Sequence, residues 1–242
     1  CHPKASEYIT KMASFIHQLE EKGDAYQSGE DIYFRVSSVK DYGCLSKQNI
    51  KDLISGARID VSDKKESPLD FALWKLTDDD GIKFDTEIGR GRPGWHTECV
   101  CMVNGVFQKH LIDIHGGGFD LKFPHHENEI AQSEAMYGTK LANYWMHCGF
   151  LLTDGVKMSK SLGNSILAKD VLQRHLGNGV RLFFLTTHYR SPVNYTEENL
   201  DSMDKLALRY LSSIRKADYK LQLNSMPEGQ LLKEDYDQFL DA

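Results

Sequence analysis

Apolar residues near the start of the chain recur at the three- and four-residue spacing of an amphipathic helix. This spacing predicts a helix over about residues 5–22, and Gly23 is a residue type that commonly ends helices. Alternating apolar positions from Tyr26 to Val36, on either side of Gly29-Glu30-Asp31, then predict a hairpin. The apolar positions of the helix are Tyr8, Ile9, Met12, Phe15, Ile16 and Leu19.

The rest of the first third has weaker patterns. Residues 46–55 are compatible with a short helix, and Lys64-Lys65-Glu66-Ser67-Pro68 has the composition of a surface loop. Residues 1–88 are therefore predicted to form the end of one half of a larger domain together with an α+β insertion.

The hydrophobic pattern changes after Pro93. Proline at a helix start leads into Trp95, Cys99 and Met102, which share a helical face, and then into a β-like run over residues 110–115. The three glycines at 116–118 are expected to end that strand. A helix over about residues 124–137 and a strand over about 144–152 complete a strand–loop–helix alternation.

This alternation over residues 89–167 is typical of an α/β nucleotide-binding half-domain, in which ligands bind at the carboxyl ends of the strands. Residues 168–242 turn helical, with a long amphipathic segment over about 196–216. The predicted fold class is α/β, with the α+β insertion before the nucleotide-binding half and a helical segment after it.

Composition and charge narrow the function classes. The chain has 242 residues, 40% of them apolar and 26% charged, which suits a globular core, and no apolar run reaches the ~20 residues of a membrane span. We therefore expect a cytoplasmic protein with no membrane partner. A net charge of −6 argues against indiscriminate nucleic-acid binding, although a local basic patch could still hold RNA. Five irregularly spaced cysteines indicate thiols rather than a disulfide framework.

The run Lys157-Met158-Ser159-Lys160-Ser161 places two cations and two hydroxyls on a turn. Two lysines three residues apart can neutralise the charge that builds on a departing phosphate. The alternative is a solvated basic loop. The five residues, followed by Leu162-Gly163-Asn164, resemble the signature loop of class I aminoacyl-tRNA synthetases, which implies that Lys160, Lys157 and Ser159 bind ATP and that the two lysines are catalytic.

Cys99, His125 and Glu129 are candidate metal ligands. His125 and Glu129 are four residues apart on a predicted helix and share a face, and thiolate, imidazole and carboxylate together suit Zn²⁺. By spacing alone they could also be a core thiol and a helix-surface pair. A site with three protein ligands is either catalytic with an open position or lacks a ligand.

Two segments around these ligands resemble cysteinyl-tRNA synthetase, and the resemblance extends over about residues 3–199. It implies that Cys99, His125 and Glu129 hold zinc, and that a fourth cysteine ligand and an H-I-G-H signature complete the family's site; neither appears in this chain. The two segments are Gly91-Arg92-Pro93-Gly94-Trp95-His96-Thr97-Glu98-Cys99 and Phe123-Pro124-His125-His126-Glu127-Asn128-Glu129-Ile130-Ala131-Gln132-Ser133.

The resemblance also assigns substrate positions. Trp95 lines the cysteine pocket, or else is an ordinary core residue. His115, at the end of a strand before the glycines, is expected to contact substrate together with Gly116. Gly117 and Asp120 belong to the adenosine loop, although glycine-rich loops alone are weak signals.

The implied activity is cysteine–tRNA ligation: adenylation of L-cysteine with ATP and Mg²⁺, then transfer to tRNA(Cys), with zinc selecting the substrate thiolate. Two rival hypotheses remain at this point. One is the related ligase of mycothiol biosynthesis, which gives cysteine to an amino-sugar and is disfavoured by Glu129 and by the segment 188–200. The other is an inactive zinc-binding or RNA-binding module.

Overall fold

The computed structural model describes residues 1–48, 64–76, 81–159 and 162–223. Contacts divide the chain into two units, Cys1–Cys148 and Gly149–Ala242. The boundaries predicted from the sequence, after residues 88 and 167, concern functional regions and stay a prediction. The predicted helix over 46–55 falls mainly outside the described residues.

An antiparallel sheet and one long helix form the core of the first unit. The strands follow the order β1-β2-β3-β5-β4. Helix α1 turns its apolar side to this sheet, and Met12, Ile16 and Leu19 are fully buried beside Phe34 and Trp74. The elements are α1 (Ile9–Lys22), β1 (Ala25–Ser28), β2 (Asp31–Phe34), β3 (Phe71–Lys75), β4 (Phe84–Thr86) and β5 (Gly89–Pro93).

The sequence pattern predicted the helix and the hairpin of this core. The predicted first helix is present as a 3₁₀ turn, Ala5–Glu7, followed by α1, and it ends at Gly23 in the left-handed conformation with φ 82°. The predicted hairpin is also present, because β1 and β2 pair across Gly29 with Ala25 opposite Phe34. These elements give the α+β region that the sequence predicts.

The second part of the first unit is a strand–helix–strand crossover. Strands β6 and β7 are parallel and pair from Ile112 opposite Ala142 to Gly118 opposite Cys148. Helix α3 connects them, as expected of an α/β half-domain. The elements here are α2 (Trp95–Phe107), β6 (Ile112–Gly118), α3 (His125–Tyr137) and β7 (Ala142–Cys148).

Three local predictions were wrong. Pro93 does not start a helix, because it pairs with Trp74 in the sheet, and α2 begins after Gly94. The three glycines do not end β6, because their backbones continue its pairing with β7. The strand predicted over 144–152 is two strands, since the amide of Gly149 donates instead to the carbonyl of Tyr189.

Across its described residues, the second unit has a three-stranded sheet and three helices. Strand β8 pairs in parallel with β10 and antiparallel with β9. A small apolar core joins Val171, Phe183, Tyr195 and Leu200. The helical character predicted after Asn164 is confirmed. The elements are β8 (Leu151–Thr153), β9 (Val156–Lys157), α4 (Ala168–Leu172), α5 (Gly177–Leu185), β10 (Val193–Tyr195) and α6 (Glu197–Leu223).

Candidate metal centre

Helices α2 and α3 bring the three predicted metal ligands together. His125 Nε2 lies 3.6 Å from Cys99 Sγ and 3.0 Å from Glu129 Oε1. One ligand atom from each of the three residues falls within 4.8 Å of the others. His125 is 4% exposed and Glu129 is 0% exposed, so the alternative of a helix-surface pair is wrong.

The carboxylate of Glu129 has lone pairs that the protein leaves unused. A histidine Nε2 lies within 3.0 Å of each oxygen, from His115 at 2.9 Å and from His125 at 3.0 Å. Neither buried oxygen, however, receives a hydrogen bond of good geometry from the described part of the chain. Burying a carboxylate is costly unless positive charge lies beside it, and a cation among these donors would supply that charge, so this donor set fits a metal ion.

The pKa values of Glu129 and Cys99 are compatible with a site for a divalent cation that binds thiolate. Burial alone would raise the pKa of Glu129, but His115 and His125 at its oxygens hold it at about 2, so the carboxylate is charged. Burial and the nearby Glu129 raise the pKa of the Cys99 thiol to about 12. A bound cation would displace that thiol proton, as metal binding does at cysteine ligands generally. Thiolate, imidazole and carboxylate donors in this number suit zinc.

Additional histidines surround the three ligands. His96 Nδ1 lies 2.8 Å from His125 Nδ1, and His126 Nδ1 lies 2.8 Å from His147 Nε2. Burial, reinforced for His96 by His125, lowers the pKa of both His96 and His126 to about 4, so these rings are neutral near pH 7. His126, His115 and Glu129 also have ligand atoms within 4.8 Å of one another.

The first turns of α3 are held by a neighbouring loop. Glu127 accepts backbone hydrogen bonds from Gly43 at 3.2 Å and from Ser46 at 2.5 Å, and Tyr42 donates to Asn128 at 2.6 Å. Every residue of α3 from His125 to Ser133 is buried. The helix that carries His125 and Glu129 is therefore fixed on all sides rather than along one apolar stripe.

The predicted substrate residues lie around this cluster. Trp95 is 59% exposed, which excludes an ordinary core position, and its ring centroid is 4.5 Å from that of His125. Gly116 and Gly117 are in β6, and a Cβ on Gly117 would come within 2.8 Å of the His126 ring. Asp120 is exposed in the 3₁₀ turn Phe119–Lys122 after that strand.

The predicted phosphate loop lies in the second unit. Lys157 is exposed, and its Nζ lies 3.9 Å from the centroid of the Phe150 ring. The Asn164 side chain closes the loop, because it accepts from the Ser159 amide at 2.8 Å and donates to the Lys157 carbonyl at 3.3 Å. Lys160, the second predicted catalytic lysine, lies outside the described residues.

The second unit also contains a histidine among carboxylates. His175 Nδ1 lies 2.9 Å from Asp204 and its Nε2 lies 2.8 Å from Glu197. Both ring nitrogens face acceptors, and the hydrogen bond to Glu197 is the main cause that raises the pKa of His175. The ring joins the segment after α4 to α6 through these two contacts.

Comparison with known proteins places the chain in a family. Residues 1–205 match the family of tRNA synthetases class I (C) catalytic domain. This chain belongs to that family.

Curated relatives of this class I synthetase chain are cysteine–tRNA ligases. The one from Halalkalibacterium halodurans is 50% identical over 221 residues, covering 91% of this chain and 47% of that protein. The one from Acholeplasma laidlawii is 48% identical over 237 residues, covering 98% and 54% respectively. The chain thus spans about half the length of the curated relatives it matches. The predicted resemblance to cysteinyl-tRNA synthetase is confirmed.

The synthetase chain contains site residues that the sequence analysis undervalued. His96 is three residues before Cys99 on α2, a spacing that puts both on one face and could have identified it. His126 is adjacent to His125 in sequence and therefore points about 100° away from it around the helix, so helical spacing gives no signal for its place in the cluster. Within the described residues, no helix has both the length and the apolarity to cross a membrane.

Proposed function

We propose that this chain is the part of a cysteine–tRNA ligase that selects cysteine and contacts ATP. The reaction adenylates L-cysteine with ATP and Mg²⁺ and then transfers the cysteinyl group to tRNA(Cys), in the cytoplasm and without a membrane partner. The observation that carries this proposal is the Cys99–His125–Glu129 donor set, with its fully buried carboxylate, in a chain about half identical to curated cysteine–tRNA ligases.

Cys99, His125 and Glu129 would hold Zn²⁺. When bound, zinc supplies a soft centre that a substrate thiolate can ligate and a hydroxyl cannot. Such chemistry separates cysteine from serine more strongly than a pocket that reads shape, which distinguishes near-isosteres by about 1–3 kcal/mol. The protein holds the ligand atoms in place because the start of α3 is buried, His115 contacts Glu129, and His96 contacts His125.

Trp95, His115 and Gly116 form the substrate side of the site. Trp95 packs on His125 and exposes more than half of its surface to solvent, so it can form one side of a pocket for a small substrate beside the ligands. His115 orients the Glu129 carboxylate from 2.9 Å. A Cβ added to Gly116 would meet no heavy atom nearer than 3.8 Å, so this glycine leaves open space beside β6.

Lys157, Lys160 and Ser159 act on the phosphates of ATP, and Gly117 and Asp120 on its nucleoside. The two lysines neutralise charge at the α-phosphate and the departing pyrophosphate. No protein side chain needs to be a nucleophile, because the cysteine carboxylate attacks first and a ribose hydroxyl of tRNA attacks the adenylate afterwards.

Cysteine-dependent exchange of pyrophosphate into ATP by the natural protein tests the activity. We expect exchange with cysteine and none above background with serine. Absence of cysteine-dependent exchange would reject the ligase proposal, and charging of an amino-sugar in place of tRNA(Cys) would transfer it to a different ligase.

Metal analysis of the purified chain tests the donor set. Cys99→Ala is expected to lose most of the bound zinc, because the thiolate is one of the three protein ligands. Cys148→Ala is the matched control, since Cys148 is an exposed free cysteine. Equal zinc in the two variants would remove Cys99 from the ligand set.

A further inference from the structure

A second group of potential metal ligands adjoins the first across the Glu129 carboxylate. Ligand atoms of His115, His126 and Glu129 lie within 4.8 Å of one another, and we name these three residues the second donor set. Glu129 Oε2 is 2.9 Å from His115 Nε2, whereas Glu129 Oε1 is 3.0 Å from His125 Nε2. The two oxygens of one carboxylate therefore face two different groups of donors.

Neighbouring rings hold the two histidines of the second donor set in place. His126 Nδ1 lies 2.8 Å from His147 Nε2, and this contact engages Nδ1, so Nε2 is the His126 nitrogen available to a metal. Histidine ligands in metal sites are commonly oriented by a hydrogen bond at the other ring nitrogen. The centroid of the Trp145 ring is 4.7 Å from that of His115 and 5.0 Å from that of His126. Both imidazoles are thus supported on a side away from the carboxylate.

The chemistry of the second donor set differs from that of the first. Two imidazoles and one carboxylate offer only nitrogen and oxygen atoms, which suit divalent transition metals and leave further coordination positions open. Cys99 adds a thiolate to the first set, which favours a softer ion. The His115 side chain is 16% exposed and the Glu129 side chain is 0% exposed, so solvent and ions reach the second set at His115.

We propose that the second donor set binds a second divalent transition metal ion, with Glu129 bridging it to the ion held by Cys99 and His125. Enzymes with two-metal sites hold two cations close together, and a carboxylate can give one oxygen to each. One carboxylate and one thiolate offset only part of the charge of two divalent ions, so the second ion binds more weakly than the first.

A Co²⁺ titration of the natural protein, after a chelator has removed its metal, tests the second donor set. Co²⁺ that is ligated by a thiolate has a sulfur-to-metal charge-transfer band in the near ultraviolet, whereas Co²⁺ with nitrogen and oxygen ligands has none. We expect a first equivalent with this band, and a second, weaker equivalent that adds visible absorption without it. In His126→Gln the second equivalent should bind at least about tenfold more weakly, the lower limit for loss of even an outer-shell partner.

Retention of the charge-transfer band in His126→Gln would show that the surroundings of Cys99 are intact. His110→Gln is the matched control, because His110 is an exposed histidine of the same unit that stacks on Tyr137, outside both donor sets. Wild-type protein with one equivalent, or a second equivalent that His126→Gln leaves unchanged, would overturn the proposal. Equal weakening in His126→Gln and His110→Gln would identify adventitious ions only.

A further variant covers the case in which His126→Gln loses both ions. His115→Gln should then lose the second equivalent and keep the first with its charge-transfer band, and loss of both ions there as well would reject a separate second site. The titration contains no ATP, cysteine or tRNA, so its result is independent of whether the proposed ligase activity is correct.

Discussion

Two clusters of histidines and carboxylates among the described residues have opposite stoichiometry. In the first unit, one carboxylate, Glu129, is within reach of His115 and His125, and Cys99 adds a thiol. In the second unit, one ring, His175, is within reach of three carboxylates, on Glu197, Asp201 and Asp204.

The ratio of histidines to carboxylates decides whether a cluster suits a metal ion. In the first cluster one ligand atom each from Cys99, His125 and Glu129 lies within 4.8 Å of the others, so three donor atoms of different chemistry are available to one cation. The pKa of His175 is raised, chiefly by its hydrogen bond to Glu197, so folding favours the charged ring, and Arg174 and Tyr195 add further donors to Glu197. Proximity of histidine to acidic residues therefore does not by itself identify a metal site. The balance of lone pairs and protons does.

Replacing Glu129, the single carboxylate of the first cluster, should have the largest effect of the changes that test this difference. Glu129→Gln keeps the shape of the side chain but removes its charge, so we expect zinc affinity to fall by at least about 100-fold, the upper range for loss of an outer-shell partner. Competition with a chromogenic chelator measures it. Glu134→Gln on the same helix is the control, and comparable affinity in the two variants would refute the assignment of Glu129.

A second variant tests whether close packing of the rings matters. Gly117→Ala places a Cβ 2.8 Å from His126, whereas Gly116→Ala meets nothing nearer than 3.8 Å. We expect Gly117→Ala to lower the free energy of unfolding of the first unit by about 1–3 kcal/mol through overpacking. Urea unfolding followed by tryptophan fluorescence measures the difference, because all three tryptophans lie in that unit. Equal stability of the two variants would show that the His126 ring shifts to accommodate the added Cβ at no cost, and would contradict the idea that close packing of the rings matters.

Removal of the central ring tests the second cluster. His175→Gln leaves the carboxylates without the ring they share, and we expect the free energy of unfolding to fall by about 1–2 kcal/mol, less than for a fully buried pair because the Glu197 side chain is 49% exposed. Hydrogen exchange of the α6 amides near Asp204 reports the local loss. His188→Gln, in the same unit but outside the cluster, is the control. Added zinc should not change α6 protection in the wild type, and zinc-dependent protection there would break the contrast between the clusters.

The sequence predicted the ligands of the first cluster better than its surroundings. His125 and Glu129 became candidates through their four-residue spacing and Cys99 through its place on the preceding helix, and the resemblance then implied a zinc role for all three. Burial along the whole start of α3 was not predictable from periodicity, because most residues from His125 to Ser133 are polar and their partners, such as Tyr42 and Gly43, are more than 80 residues away.

Long-range partners also explain the other errors. Glycines have low strand propensity, so Gly116, Gly117 and Gly118 suggested the end of β6, but pairing with β7 outweighed propensity. The role of His175 was invisible for the same reason, since Glu197 and Asp204 are 22 and 29 residues further along the chain. Local pattern predicts elements well, whereas charge balance in a cluster depends on which elements meet.

The smallest expected effect is a pH dependence confined to the second cluster. The pKa of His175 is raised in the folded protein, chiefly by its hydrogen bond to Glu197. Stability that comes from a raised histidine pKa is fully present below the unfolded value of about 6.5 and is lost as the pH rises through the folded value. We therefore expect protection of the α6 amides to decrease as the pH increases above about 6.5, after correction for intrinsic exchange rates.

The groups facing His175 set the limits of this effect. Glu197, Asp201 and Asp204 face the ring from α6, and Arg174 adjoins it in sequence. The pKa of Glu197 is lowered, chiefly by its hydrogen bond with His175, so its own contribution to stability is lost progressively as the pH falls below the usual glutamate range. His175→Gln should abolish the decrease at high pH. If α6 protection in the variant still decreases at high pH, titration of the His175 ring is not the cause of that decrease. The two clusters would then not differ in the way their stoichiometry implies.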